Sequence, residues 1–298
     1  MTEPHDRIAA ATSLLFVRGH RPDRFDKAAS TGAELVIIDL ADAVAAEGKD
    51  SARNNAAAWL APGNRAVVRI NPPGTPWSES DLTMAAGHGS AVMVPKAEDP
   101  AVITELAART AGRCALVPLV ETVLGVERAH EVCATPGVAR AAFGNVDLAA
   151  ELGVTHDDHT ALTHARSRLV LAPAAAGIGP PIDGVTTAVR DREILHTDTA
   201  HARRLGFSGK LCIHPCQLSY VASGFAPTAD ELRWARAVLG AGEWNLKAES
   251  GPTDASSIGR APVSLTGARG PISCAANSSR VVMDDPLKCV TCRPPAGD

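Results

Sequence analysis

The chain is predicted to be an α/β protein, a (β/α)8 TIM barrel with a C-terminal appendage. Three observations predict it. Eight short apolar runs recur between residues 14 and 214. Helical patterns separate most of them, and strands alternating with helices argue for βαβ units and a parallel sheet. About eight such units close into a barrel of roughly 250 residues. Finally, no Gly-x-Gly-x-x-Gly turn follows the first run, which weakens the competing doubly wound open sheet.

The strand-like runs are 14–17, 35–40, 66–70, 91–95, 115–121, 141–147, 182–185 and 211–214. Several are apolar throughout, the pattern of a strand buried on both faces. Helical patterns fall at 24–29, 51–60, 101–111, 162–172 and 199–205, the fourth stopping at Pro173. Thr228-Ala229-Asp230-Glu231 has the form of a capping box and opens a helix to about Leu239, ending near Gly240 and Gly242. The barrel domain is assigned to 1–244 and a low-complexity tail or atypical lid to 245–298. That tail is rich in Ser, Gly, Ala and Pro, with 281–283 its one short strand pattern.

Composition narrows the class. With 29 Lys and Arg against 33 Asp and Glu, the net charge of -4 does not suit a nucleic-acid binder. Aromatics are only 3%, so a base-stacking platform is not expected either. No apolar stretch is long enough to span a bilayer, and the first residues do not read as a signal peptide. The 7 cysteines are odd in number and scattered, which points to a reducing, cytoplasmic setting.

In a barrel of this kind the chemistry lies on the loops after the strands. The polar residues there are Asp39, Asp42, Arg69, Lys96, Glu121, Asp147, Asp183 and His214. Glu121 and Asp147 each close an apolar run, and two such carboxylates at one mouth suit Mg²⁺. The alternative is two acids that merely start solvated turns. Arg69 suits bidentate capture of a carboxylate, or else an ion pair with a neighbour such as Asp39. Lys96 is a Schiff-base amine only if its pKa is depressed, and a structural or carboxylate-pairing lysine otherwise. His156-Asp157-Asp158-His159 lacks the i, i+4 spacing of a helical zinc pair and reads as a solvated turn. Cys289 and Cys292 form a C-x-x-C pair that no second pair completes.

Several blocks, taken in order over 13–243, resemble the citrate lyase beta subunit-like CoA-ester lyases of the HpcH/HpaI aldolase group. They are Ser13-Leu14-Leu15-Phe16-Val17, His20-Arg21-Pro22-Asp23-Arg24-Phe25, Ile38-Asp39-Leu40-Ala41-Asp42-Ala43-Val44 and Val68-Arg69-Ile70-Asn71. Val94-Pro95-Lys96, Val120-Glu121-Thr122, Phe143-Gly144-Asn145-Val146-Asp147-Leu148 and Gly209-Lys210-Leu211-Cys212-Ile213-His214-Pro215 complete the set.

The resemblance implies Mg²⁺ held at Glu121 and Asp147. It implies that Arg69 binds a 2-oxoacid and steadies enolate charge, and that Asp42 orders water around the cation. Gly144 and Asn145 would offer backbone N–H groups to the oxoacid carboxylate, with Lys96 as a polar neighbour. Arg18, Arg21 and Arg24 would approach the nucleotide of CoA. The reaction implied is cleavage or formation of a hydroxy-dicarboxylic acyl-CoA such as citryl-, citramalyl- or malyl-CoA, in a homotrimer.

The chain departs from the family pattern at Ala41, where a Glu is usual, at Val146, also usually Glu, and at Arg18-Gly19, usually Pro-Gly or Pro-Ala. The family's closing lid lends an Asp to a neighbouring subunit, for which this chain offers Asp284. Two alternatives remain: a class II pyruvate aldolase acting on free hydroxy-oxoacids, and a degenerate barrel without catalysis serving as a complex subunit.

Overall fold

The structure is a computed structural model, and it describes the backbone of residues 3–249 and the side chains of 7–239. The chain divides into two compact units, Met1–Phe225 and Ala226–Asp298. Unit one is a closed barrel of eight parallel strands in sequence order. They are β1 Ser13–Arg18, β2 Leu35–Asp39, β3 Val67–Arg69, β4 Ala91–Val94, β5 Leu116–Val120, β6 Arg140–Phe143, β7 Gly179–Asp183 and β8 Gly209–Cys212.

Helix α1 Glu3–Ala10 precedes the strands; α2 Phe25–Ala29, α3 Lys49–Leu60, α4 Ser78–Gly87, α5 Pro100–Thr110, α6 Val123–Glu127, α7 Ala129–Cys133, α8 Asn145–Leu152, α9 Thr163–Ala176 and α10 Arg192–Leu205 lie between them, and α11 Leu218–Phe225 follows. In unit two, α12 Ala229–Glu249 opens with the expected box: Glu231 Oε2 accepts the Thr228 N–H at 2.9 Å, and Thr228 Oγ1 accepts the Glu231 N–H at 3.1 Å.

Side chains alternate along each strand. Leu14, Ile37, Val67, Met93, Val117 and Leu119 fill the barrel interior. Leu15, Val36, Ile38, Val68, Val92 and Val94 pack outward against Phe25, Ala52, Leu82 and Ile103 of the helical layer. Both faces are therefore apolar, which is why these strands read as continuous apolar runs.

The barrel floor is closed by Arg140, which is fully buried. Its guanidinium donates to the carbonyls of Ile8 (3.1 Å), Ala11 (2.5 Å) and Pro180, and to Ser208 Oγ (2.6 Å). Burial pushes its pKa down to about 9. The chain pattern did not single it out.

Two element boundaries differ from the reading of the sequence. Strand β6 ends at Phe143, so Asp147 lies in the first turn of α8 and not at a strand end. Helix α9 runs past Pro173 to Ala176 and ends where Gly177 takes a left-handed conformation (φ 71°). Proline has no N–H to give the Leu169 carbonyl four residues back, so the helix continues through Pro173 with that one bond missing.

Candidate active site

Glu121 is the first residue beyond β5 and continues the inward-facing series of Val117 and Leu119. Its side chain is buried, and Oε1 accepts the Lys96 backbone N–H at 2.9 Å. Gly144 leaves it room. A Cβ at that position would stand 2.3 Å from Glu121 Cβ and 2.8 Å from Oε2.

Lys96 adopts a left-handed backbone (φ 49°), uncommon for a residue with a side chain. Its N–H turns to Glu121, while its Nζ reaches Asp147 Oδ2 at 3.2 Å. One lysine thus touches both acids, from elements 25 and 51 residues away.

Across the mouth, Asp39 and Arg69 are register neighbours on β2 and β3. Arg69 donates Nε and Nη2 to the two oxygens of Asp39 at 2.8 and 2.7 Å, a bidentate pair. Its Nη1 lies 3.0 Å from Asp42 Oδ2, and its Cζ lies 5.1 Å from the Phe16 ring centroid. The ion pair with Asp39 anticipated for Arg69 is thus present. It leaves the Nη1 edge turned to Asp42.

Burial, reinforced by the charge of Asp147, pushes the Glu121 carboxyl up to about 7, against the pull of the Lys96 N–H, Arg69 and the Lys96 charge. Burial works against the Arg69 charge, but Asp39, Asp42 and Glu121 more than offset it and its pKa is raised. Burial also opposes the Lys96 charge, and Asp147, Glu121 and Asp42 overcome it. Lys96 therefore stays an ammonium, which counts against the Schiff-base option.

Among the described residues no group of three or more His, Cys, Asp or Glu side chains converges as a metal cage. The two-carboxylate arrangement still fits a hard dication, since Mg²⁺ takes one or two carboxylates and leaves its other positions to water and substrate. Glu121 and Asp147 share one ammonium, that of Lys96, which bonds only Asp147, so the pair has room for further positive charge.

Other expected residues sit differently. The Gly144 N–H donates to the Val120 carbonyl at 2.9 Å, so it is not free for a ligand. The Asn145 side chain is also committed: Nδ2 donates to the His156 and Val185 carbonyls (3.2 and 3.1 Å), and Oδ1 accepts the Val185 N–H (3.0 Å). Asp183 is not open at the mouth. It is buried in an ion triad with Lys210 Nζ (2.7 Å) and Arg166 Nε (3.1 Å).

His214 accepts the Cys216 N–H and caps the turn Pro215–Gln217. Arg18 ends β1 and is exposed, whereas Arg21 pairs with Asp23 at 2.7 Å and Arg24 approaches it at 3.7 Å. Gly19 is wedged there, since a Cβ would come within 2.9 Å of the Asp39 carbonyl.

The histidine run is more than a solvated turn. His156 Nε2 meets Thr187 Oγ1 at 2.7 Å, and His159 pairs with Asp198 at 2.8 Å and stacks on His201. Asp284, Cys289 and Cys292 lie outside the described residues.

A parallel eight-stranded barrel with paired acids and a clamped guanidinium at its strand C-termini has the build of a metal-assisted carbon–carbon lyase. The comparisons give the class its family. Residues 12–215 match the model of the HpcH/HpaI aldolase/citrate lyase family, and the chain belongs to that family.

A citrate lyase subunit beta-like protein of Mycobacterium tuberculosis is 37% identical over 240 residues, covering 78% of this chain and 85% of its own length. A (3S)-malyl-CoA thioesterase of Cereibacter sphaeroides is 33% identical over 243 residues, covering 78% and 82%. The structure of CitE from Mycobacterium tuberculosis in complex with magnesium, acetoacetate and coenzyme A is 36% identical. It matches with a TM-score of 0.68 over 79% of this chain and 89% of that one. Among the described residues no helix is long and apolar enough to cross a membrane.

Proposed function

We propose that this protein is a Mg²⁺-dependent CoA-ester lyase. It would split a hydroxy-dicarboxylic acyl-CoA of the citryl-, citramalyl- or malyl-CoA type into an acyl-CoA and a 2-oxoacid, or run the reverse. The observation that carries this reading is Lys96 bridging Glu121 and Asp147 at a mouth whose opposite wall is Arg69 held by Asp39.

In the cleavage direction the substrate hydroxyl loses its proton and the carbon–carbon bond breaks. The oxygen becomes the ketone of the oxoacid, and the electron pair passes to the thioester as an enolate. A proton then returns to that carbon. Glu121 and Asp147 would hold Mg²⁺, which when bound supplies Lewis-acid stabilisation of developing oxygen charge.

The other steps belong to side chains. Arg69 would turn its Nη1 edge, which Asp42 contacts in this structure, to the oxoacid carboxylate, in an orientation fixed by Asp39 and Phe16. Asp42 would order water beside the cation. The N–H groups that open α8 would face the same carboxylate, because the first turn of a helix leaves its donors without partners inside the helix. The arginines of 18–24 would meet the nucleotide of CoA. Asp284 is the candidate lid acid, contributed within a homotrimer.

Cys114, Cys133, Cys212 and Cys216 are all free thiols, which suits a reducing cytoplasm. The deciding experiment is oxoacid release from a panel of these thioesters with and without Mg²⁺. Mg²⁺-dependent turnover of at least one is the expected result. A folded protein inert on all of them would overturn the reading. Light scattering tests the trimer.

A further inference from the structure

We propose that Asp42 is a built-in stand-in for the substrate carboxylate: it occupies the binding edge of Arg69 and must leave before an oxoacid can bind. This rests on the lyase reading of the same mouth and adds a gate to it.

The two acids on Arg69 differ in kind. Asp39 holds Nε and Nη2 through both of its oxygens, its side chain is only 4% exposed, and its Oδ1 also accepts the Ala41 N–H at 2.9 Å. This contact belongs to the β2–β3 framework. Phe16 covers one face of the guanidinium, so its plane is fixed as well.

Asp42 touches only Nη1, at 3.0 Å, with a side chain 56% exposed. Arg69 is only 12% exposed, but Asp42 itself reaches water and regains hydration when the contact breaks, which lowers the cost of breaking it. It is also in the way. The Nη1 edge is what remains of the fork once Asp39 has taken its share, and a carboxylate arriving there meets Asp42 in the same place. With Asp39 and Asp42 both in contact, the guanidinium is already over-compensated, and a third carboxylate is repelled.

Asp42 also lies within electrostatic range of Lys96, which stands on the Glu121–Asp147 side of the mouth. A swing towards that side would free the Arg69 edge and carry the acid to where positive charge is needed. Ala41, buried beside it, brings no carboxylate, so Asp42 is the acid of this turn able to move.

The test is a pyruvate titration followed by NMR, which reads millimolar binding, on wild type, Asp42→Asn and Asp42→Ala in the presence of a chelator. A thermal melt checks that both variants fold. Without metal the variants are expected to bind pyruvate at least about threefold more tightly than wild type, because the competitor for Nη1 is gone. Equal or weaker binding by the variants, or no response from any of the three proteins, overturns the stand-in. A parallel wild-type titration with Mg²⁺ separates the two failures. Pyruvate binding there with no gain in the metal-free variants sinks only the stand-in, and no binding there sinks the lyase reading itself.

Discussion

Glu121 is a carboxylate that the fold keeps dry and supplies with one backbone donor. Lifted from 4.5 to about 7, it binds a proton more tightly in the folded chain than in the unfolded one. Metal-free stability therefore falls as pH rises through that window, by up to about 3 kcal/mol from this group. Glu121→Gln is expected to flatten that fall, read as the variant-minus-wild-type difference in urea unfolding between acid and neutral pH. A dication competes with the same proton, so Mg²⁺ affinity is expected to rise with pH through about 7 and to be lost in Glu121→Gln, by calorimetry. Gly144→Ala would drive a Cβ to 2.3 Å from that of Glu121 and is expected to destabilise by more than about 2 kcal/mol. Glu121, Asp147, Arg69 and Lys96 were all legible as polar residues following apolar runs. The left-handed turn at Lys96 that joins two of them was not, since nothing in Val-Pro-Lys marks a positive φ.

At the scale of elements, the site depends on how the loops after β6 and β7 are tied together. Asn145, the first residue of α8, bonds across to Val185 and His156 through three hydrogen bonds. Asp147 rides on the same helix. Asn145→Ala is expected to cost about 1–3 kcal/mol in urea unfolding, because the Val185 N–H and two carbonyls lose their partners. It should also weaken Mg²⁺ binding by loosening the helix that carries Asp147. The resemblance gives Asn145 a role through its backbone N–H. Its side chain has a separate task as a clamp, which only a contact between distant loops reveals. The same reading ran strand six through to Asp147, because Ala, Phe and Val continue an apolar run that the backbone ends at Gly144.

For the whole molecule, the alternation of side chains decides which strand-end residues reach the mouth. Asp39, Arg69 and Glu121 continue the inward series of Ile37, Val67 and Leu119. Lys210 lies on the outward series of β8, next to Cys212, and takes Asp183 with it. A count by twos along each run could have separated the first group from Lys210. The same count turns Asp183 outward, one residue past the inward-facing Ile182 and in register with Lys210.

Stability and function also separate along the barrel axis. Arg140 at the floor bonds four backbone carbonyls and a hydroxyl. Arg140→Met is expected to destabilise by about 3–5 kcal/mol while leaving Mg²⁺ affinity within about twofold, since it leaves buried acceptors without donors far from the mouth.

The most direct measurement is a crystal structure of this protein soaked with Mg²⁺ and oxaloacetate. It is expected to hold one cation bonded to carboxylate oxygens of both Glu121 and Asp147, with the oxoacid carboxylate on the Arg69 edge. A cation bound by neither acid, or an oxoacid turned away from Arg69, would contradict the account.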